Sequence, residues 1–132
     1  MEDIYKRTST TVSYLCYHFV FCPKYRRKIF RIPGVEERFK ELAVQICADN
    51  DIDVLAMECH IDHVHMFVRA LPTFAPSDIM KVIKGGTSRI MRDEFEALKR
   101  MTSLWTRSYF VSTVENVSAE TIKRYVDTQK TR

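Results

Sequence analysis

Apolar and polar residues alternate with period two over HVHMFVRA, His63 to Ala70. Read as a strand, Val64, Met66, Val68 and Ala70 face one way and His63, His65, Phe67 and Arg69 the other. The apolar side predicts contact with a core. The opposite side presents two imidazoles roughly 6.6 Å apart, two residues at about 3.3 Å each. That is near enough for one metal ion or one phosphate, although two solvated or packed histidines would leave the same pattern.

The rest of the chain can be read in the same way. Thr11 to Phe21, TVSYLCYHFVF, is dense in β-branched and aromatic residues and apolar on both faces, which predicts a long central strand. His18 within it reads as a packed or hydrogen-bonded residue rather than a ligand. The first ten residues are polar and predict a short arm. A helix is predicted from Pro33-Gly34 to about Asn50, with Val35, Phe39, Leu42, Ala43 and Ile46 on one stripe. Ile52 to Cys59 is a second strand, and the short link His60-Ile61-Asp62 folds it back on the His63 strand as an antiparallel hairpin. Pro76-Ser77-Asp78 opens a second helix with Ile79, Val82, Ile83, Ile90 and Met91 inward. Gly85-Gly86 interrupts it at up to about 1 kcal/mol per glycine. Either the helix breaks there, or another backbone, protein or nucleic acid, comes close. Arg92 to Arg107, with the lone Trp105, reads as helix end plus loop, and Tyr109 to Val114 as a short strand. Ser118 is a plausible N-cap for a last helix from Ala119 to about Lys130.

The resulting order is strand, helix, strand, strand, helix, strand, with one terminal helix. It predicts an α+β, ferredoxin-like antiparallel sheet with helices on one face and the other open to a ligand. RNA-recognition modules use such an open face.

Composition narrows the class. The chain has 132 residues, 45% hydrophobic and 29% charged, which predicts one globular domain over residues 1–132. No apolar run is long enough to span a bilayer. The N-terminal MEDIYKRTSTT lacks the apolar core of a signal peptide, so a protein that is not exported, hence cytoplasmic, is expected. Cys16, Cys22, Cys47 and Cys59 form no CxxC pair, and Cys16 and Cys47 read as small core residues. The net charge of +4 is modest. It is concentrated in CPKYRRKIFR, Cys22 to Arg31, which holds five basic residues, no acidic ones and two aromatics. Cations for phosphates and rings for bases suit a nucleic acid there, and a solvated basic loop or hairpin tip is the plainer alternative.

The terminal helix carries the second chemical feature. Its apolar face is thin (Ala119, Ile122, Val126), so it should be ordered by docking on something. Tyr125 and Gln129 are four apart and share a face. A phenol is a usable nucleophile, but with a free pKa of about 10 it needs a metal or cation nearby.

His63-Val64-His65 is similar to the histidine–hydrophobic–histidine (HUH) motif, and with the late KRYVDTQ the chain resembles the single-tyrosine HUH transposases, the TnpA type of small insertion sequences that move as single strands. YHFVFCPKYRRKIF, ECHIDHVHMFV, VIKGGTSRIMRDEF, LWTRSYFVSTV and VSAETIKRYVDTQ resemble family segments in family order, from Tyr14 to Gln129. The resemblance implies that His63 and His65 bind a divalent ion, magnesium or manganese, with Gln129 as third ligand. It implies that Tyr125 attacks a phosphodiester of single-stranded DNA to give a 5′-phosphotyrosine link and a free 3′-hydroxyl. It also implies a homodimer whose terminal helix often completes the partner's active site, and recognition of imperfect DNA hairpins. Lys24, Arg26, Arg27 and Lys28, with Lys84 near the glycine pair, are the candidate hairpin contacts. Glu58 and Asp62 border the motif, either as partners that orient a histidine or as ordinary hairpin-end acids. Two imidazoles and an amide suit several divalent metals, and magnesium's preference for oxygen is a mild mismatch. No phosphate-cradling glycine loop is present, which agrees with a reaction that needs no ATP.

Three other readings compete. A non-catalytic hairpin binder of the same fold would need neither Tyr125 nor the histidines. A metal-dependent hydrolase would use water in place of tyrosine. Two-histidine phosphoesterases need two separated HxT or HxS motifs, and this chain lacks that pair.

Overall fold

The computed structural model describes residues 5–114. Its elements in chain order are β1 (Lys6–Arg7), β2 (Val12–Ser13), β3 (Cys16–Phe21), α1 (Val35–Asp49), β4 (Asp53–Cys59), β5 (Val64–Arg69), α2 (Pro76–Glu94) and β6 (Phe110–Val114), with short 3-10 turns between some of them. The main sheet has the order β4-β5-β3-β6 and every neighbouring pair is antiparallel. β3-α1-β4 and β5-α2-β6 are therefore two β-α-β units, each with a strand of the other unit between its own two. This is the ferredoxin-like arrangement expected from the element order.

One face of the sheet carries the core. Tyr17, Phe19 and Phe21 of β3 and Val64, Met66 and Val68 of β5 meet Val35, Phe39, Leu42 and Ala43 of α1 and Ile79, Ile83 and Met91 of α2. Burying each of the Val, Leu, Ile, Phe and Met side chains among them contributes about 1.5–3 kcal/mol. The helix faces are those that the three-and-four spacing predicts. Trp105 is also buried there, edge-on to Phe21 and Phe39, with its indole N–H donating to Thr87 Oγ1 at 2.9 Å. Cys47 is fully buried in the core, whereas Cys16 is buried on the opposite side of the sheet, paired in register with Arg69. No helix among the described residues is long and apolar enough to cross a membrane.

Two expectations need correction. The stretch 11–21 is not one strand. β3 begins at Cys16, where its β5 partner ends, and β2 pairs instead with β1 in a separate small hairpin. Thr8 closes that hairpin, its hydroxyl accepting from the Thr11 backbone N–H at 3.0 Å. The polar start of the chain is thus tied down in part. Lys6 reaches Asp51 at 3.1 Å and Asp53 at 3.0 Å, and Arg69 also donates to Asp53, at 2.9 Å.

Burial pushes the Asp53 carboxyl up, but Lys6 and Arg69 outweigh it and hold it below the ordinary value. Its folded pKa is depressed, so its contribution is full above the unfolded value of about 3.9 and is lost as pH falls through the lower folded value. Asp53→Asn should therefore cost at most about 1 kcal/mol at neutral pH for this partly exposed network. The gap from wild type should close in acid. Parallel denaturant melts at neutral and acidic pH check this, and a gap that persists in acid would contradict it.

The second correction concerns Gly85-Gly86, which do not break α2: the helix runs unbroken from Pro76 to Glu94. A Cβ on Gly86 would lie 2.6 Å from Ile46 Cδ1 of α1, so this glycine marks where the two helices come close. Gly85 meets nothing within 4 Å. Gly85→Ala should then raise folding stability by about 0.8–1 kcal/mol through helix propensity alone. A thermal melt reads this directly, and a fall in stability would show that the open space is needed.

Candidate functional site

The geometry of the site begins with the β4–β5 hairpin. Glu58 pairs with His65 and Cys59 with Val64, and one step further the His60 backbone N–H donates to the His63 carbonyl at 2.8 Å. Only Ile61 and Asp62 are left to make the turn. Opposed residues of an antiparallel pair share a face. His60 therefore stands with His63, His65 and Glu58 on the side of the sheet away from the helices.

The ligand-type nitrogens of His60, His63 and His65 all lie within 4.8 Å of one another. The rings of His60 and His63 stack, with centroids 4.4 Å apart, and His65 is edge-on to both, at 5.4 and 5.1 Å. His18 completes the group from β3, with Nε2 2.9 Å from His65 Nδ1. All four histidines of the chain are thus in one place. Sequence reasoning missed His60 by counting it as part of the link. The signal was present: a two-residue loop makes it the cross-strand partner of His63.

The histidines are oriented from behind. Asp62 Oδ1 lies 2.9 Å from His63 Nδ1. An ionised carboxylate only accepts, so Nδ1 carries the proton and Nε2 keeps its lone pair for a ligand. That hydrogen bond, with Arg26 beyond it, holds the Asp62 carboxyl below its usual range. His65 Nδ1 lies against His18 Nε2, and in the tautomer where His65 donates, its own Nε2 keeps the lone pair for a ligand. His18 lies flat on Phe67, centroids 4.3 Å apart, and this fixes its plane. Burial, reinforced by the neighbouring histidines, pushes His65 down to about 4, and burial lowers His18 as well. His65 is thus a neutral imidazole at physiological pH, the form that binds metal. Glu58 is buried across the ladder from His65, and Asp62 contacts the ring of His63. Cys59 points to the core side, and burial raises its thiol to about 12, so it offers no thiolate here.

The basic stretch runs beside this cluster. It forms two 3-10 turns, Lys24–Arg26 and Ile29–Arg31, pinned where Lys24 N–H donates to Leu104 and where Pro23 pairs with Trp105. Tyr25 and Arg26 both have left-handed backbones, φ 60° and 51°. Such a conformation costs a non-glycine residue about 1–2 kcal/mol. The result is a tip on which Tyr25 is 77% exposed, with Lys24 and Arg27 near its ring at 5.7 and 5.9 Å. Arg26 reaches Asp62 at 3.7 Å, which connects the tip to the histidines. Lys28 and Arg27 line a shallow cavity with Ile29 and Met101. Lys84 is employed differently. Its ammonium donates to the carbonyls of Thr106, Arg107 and Ser108 at 2.8, 3.4 and 3.0 Å, which orders the loop before β6. It nevertheless borders a cavity of about 340 Å³ shared with Gly85, Ser88, Arg92, Trp105 and Arg107.

The structure therefore brings together His63, His65, Arg26 and the tip around Lys24 and Arg27. Tyr125 and Gln129, with the terminal helix expected over about 118–130, lie outside the described residues.

Comparison with known proteins follows the same lines. The family model described as "Transposase IS200 like" matches residues 11–129. The ISDra2 transposase TnpA of Deinococcus radiodurans is 33% identical over 116 residues, 86% of this chain and 82% of that protein. The transposase for insertion sequence element IS200 of Salmonella typhimurium is 34% identical over 117 residues, 86% of this chain and 75% of that protein. Among solved structures, one from Deinococcus radiodurans superposes with a TM-score of 0.75 at 30% identity, covering 94% of this chain and 97% of the other. A REP-associated tyrosine transposase bound to a REP hairpin shares the fold, with a TM-score of 0.62 at 12% identity over 96% of this chain and 69% of the other.

Proposed function

The chain belongs to the IS200-like transposase family, and from that premise we propose that it cuts and rejoins single-stranded DNA at insertion-sequence ends through a 5′-phosphotyrosine intermediate on Tyr125. The observation that carries this reading is the pair His63 and His65, side by side on the sheet face away from α1 and α2, each ring held by a separate partner, Asp62 and His18. Each ring is held through Nδ1, so Nε2 is the nitrogen that would face an ion.

His63 and His65, with Gln129, would hold a divalent ion, and the nitrogen-rich donor set fits manganese better than magnesium. When bound, the ion supplies Lewis-acid polarisation of the scissile phosphate. The Tyr125 oxygen forms the new bond to phosphorus, the phosphorus–O3′ bond breaks, and the departing 3′-oxygen takes up the proton that the phenol gives up. A different 3′-hydroxyl then reverses the step. One phosphodiester is exchanged for one phosphotyrosyl ester, so no nucleotide hydrolysis is required.

The tip at Lys24, Arg26, Arg27 and Lys28 lies beside the cluster and would hold the hairpin backbone, with Tyr25 free to stack on a base. The fold shared with a transposase that carries a REP hairpin is compatible with this placement. The thin apolar face that the sequence gives the expected terminal helix supports a homodimer in which Tyr125 serves the partner's histidines. Such a protein acts in the cytoplasm, where the DNA is.

The test is a single-stranded oligonucleotide that carries a hairpin from the DNA flanking the gene and a label 3′ of the cut. With Mn²⁺ or Mg²⁺, the label should run with the protein on a denaturing gel and disappear when EDTA is present from the start. Cleavage that leaves a free 5′-phosphate and no adduct would overturn the tyrosine reading in favour of hydrolysis.

A further inference from the structure

We propose that His60 is a third protein ligand of the ion held by His63 and His65, so that this hairpin alone supplies three imidazoles to one metal. The inference rests on the reading of His63 and His65 as ligands and adds a residue and a metal class to it.

Three observations carry it. The first is the register. The bond from His60 N–H to the His63 carbonyl at 2.8 Å closes the turn and forces the two side chains onto one face. The second is distance. Ligand-type nitrogens of the three residues already lie within 4.8 Å of one another. Nitrogens around a tetrahedral ion with bonds of about 2.0–2.1 Å are roughly 3.4 Å apart. The proposal assigns the closing of that gap to side-chain rotation of His60 and His63, which flank the two-residue turn. The third is ring orientation. His65 stands edge-on to the stacked pair His60 and His63, at interplanar angles of 74° and 70°. His65 thus meets the space beside the parallel pair His60 and His63 from a different direction.

A fourth position stays open to water or a phosphate oxygen. Three neutral imidazoles favour zinc, cobalt, nickel or manganese over magnesium, which binds oxygen and keeps its waters. The chain should therefore take up such an ion before any residue of the terminal helix contributes.

The test uses the full chain, with Zn²⁺ as the probe and ¹⁵N in the histidine rings. Long-range ¹H–¹⁵N correlations through the carbon-bound ring protons report each ring nitrogen, and only four histidines are present. The expected result is a zinc-bound nitrogen on His60, His63 and His65, and none on His18. Wild-type protein alone decides this, so no variant has to fold: a spectrum with only His63 and His65 coordinated overturns the proposal. As a second measure, loss of a partner outside the coordination shell already weakens metal binding about 10- to 100-fold, so His60→Gln should raise the Zn²⁺ Kd at least about tenfold. Mg²⁺ should compete poorly against wild type. If His63→Ala weakens binding and His60→Gln does not, His60 is no ligand and the two-histidine site stands. If neither matters, the metal reading under the proposed function fails with it.

Discussion

Tyr125→Phe is expected to bind a hairpin as the wild type does and to form no covalent adduct with single-stranded DNA. The substitution removes one oxygen and leaves the ring, so a merely structural Tyr125 would be little affected. As the nucleophile, its loss should lower cleavage by at least about 10³-fold, the scale seen when a catalytic group is removed outright. The readouts are hairpin affinity by fluorescence anisotropy and adduct formation on a denaturing gel. Near-normal cleavage by the phenylalanine variant would remove the nucleophile assignment. Mixing this variant with His63→Ala protein extends the argument. Each pure protein should be inert. If Tyr125 serves the partner's histidines, a mixed dimer has one site with both the tyrosine and the His63–His65 pair, and cleavage returns. Mixed dimers that stay inert would place the site within one chain.

The strand and helix order was legible because it depends on local pattern. Alternation from His63 to Ala70 placed Val64, Met66 and Val68 in the core, and the three-and-four stripe of α1 placed Phe39 and Leu42 there. What was not legible depends on partners far away in the chain. The apolar run includes Tyr14 and Leu15, but β3 is cut where β5 ends, and a stretch cannot show the length of its neighbour. Gly85-Gly86 looked like a helix break because propensity is local, whereas the reason for Gly86 is Ile46, forty residues earlier. Trp105 sits in a polar segment, yet Thr87 and two phenylalanines bury it. His60 is the instructive case. Its position followed from pairing Glu58 with His65 and counting forward, a step that needs the register and not merely the existence of a hairpin.

Replacing Lys24, Arg26, Arg27 and Lys28 together by glutamine should produce the largest change in binding, and salt should reveal its cause. Each phosphate contact released by salt contributes a slope of about −0.7 to −0.9 in log affinity against log salt. Four contacts amount to about three units of slope, so wild type should lose roughly 100-fold more affinity than the variant between 50 and 200 mM salt. The four residues are not equal. Arg26 already faces Asp62 at 3.7 Å, and Arg26→Gln should flatten the slope less than Arg27→Gln. It should instead disturb the histidines, because Asp62 then loses the cation that helps to hold it ionised beside His63. Tyr25→Ala separates charge from stacking. Loss of a base stacked on an aromatic ring costs about 1–3 kcal/mol and leaves the salt slope unchanged. A slope that falls with Tyr25 would show that the ring positions the cations beside it, and one that survives removal of all four cations would show that the hairpin is held on some other face of the protein.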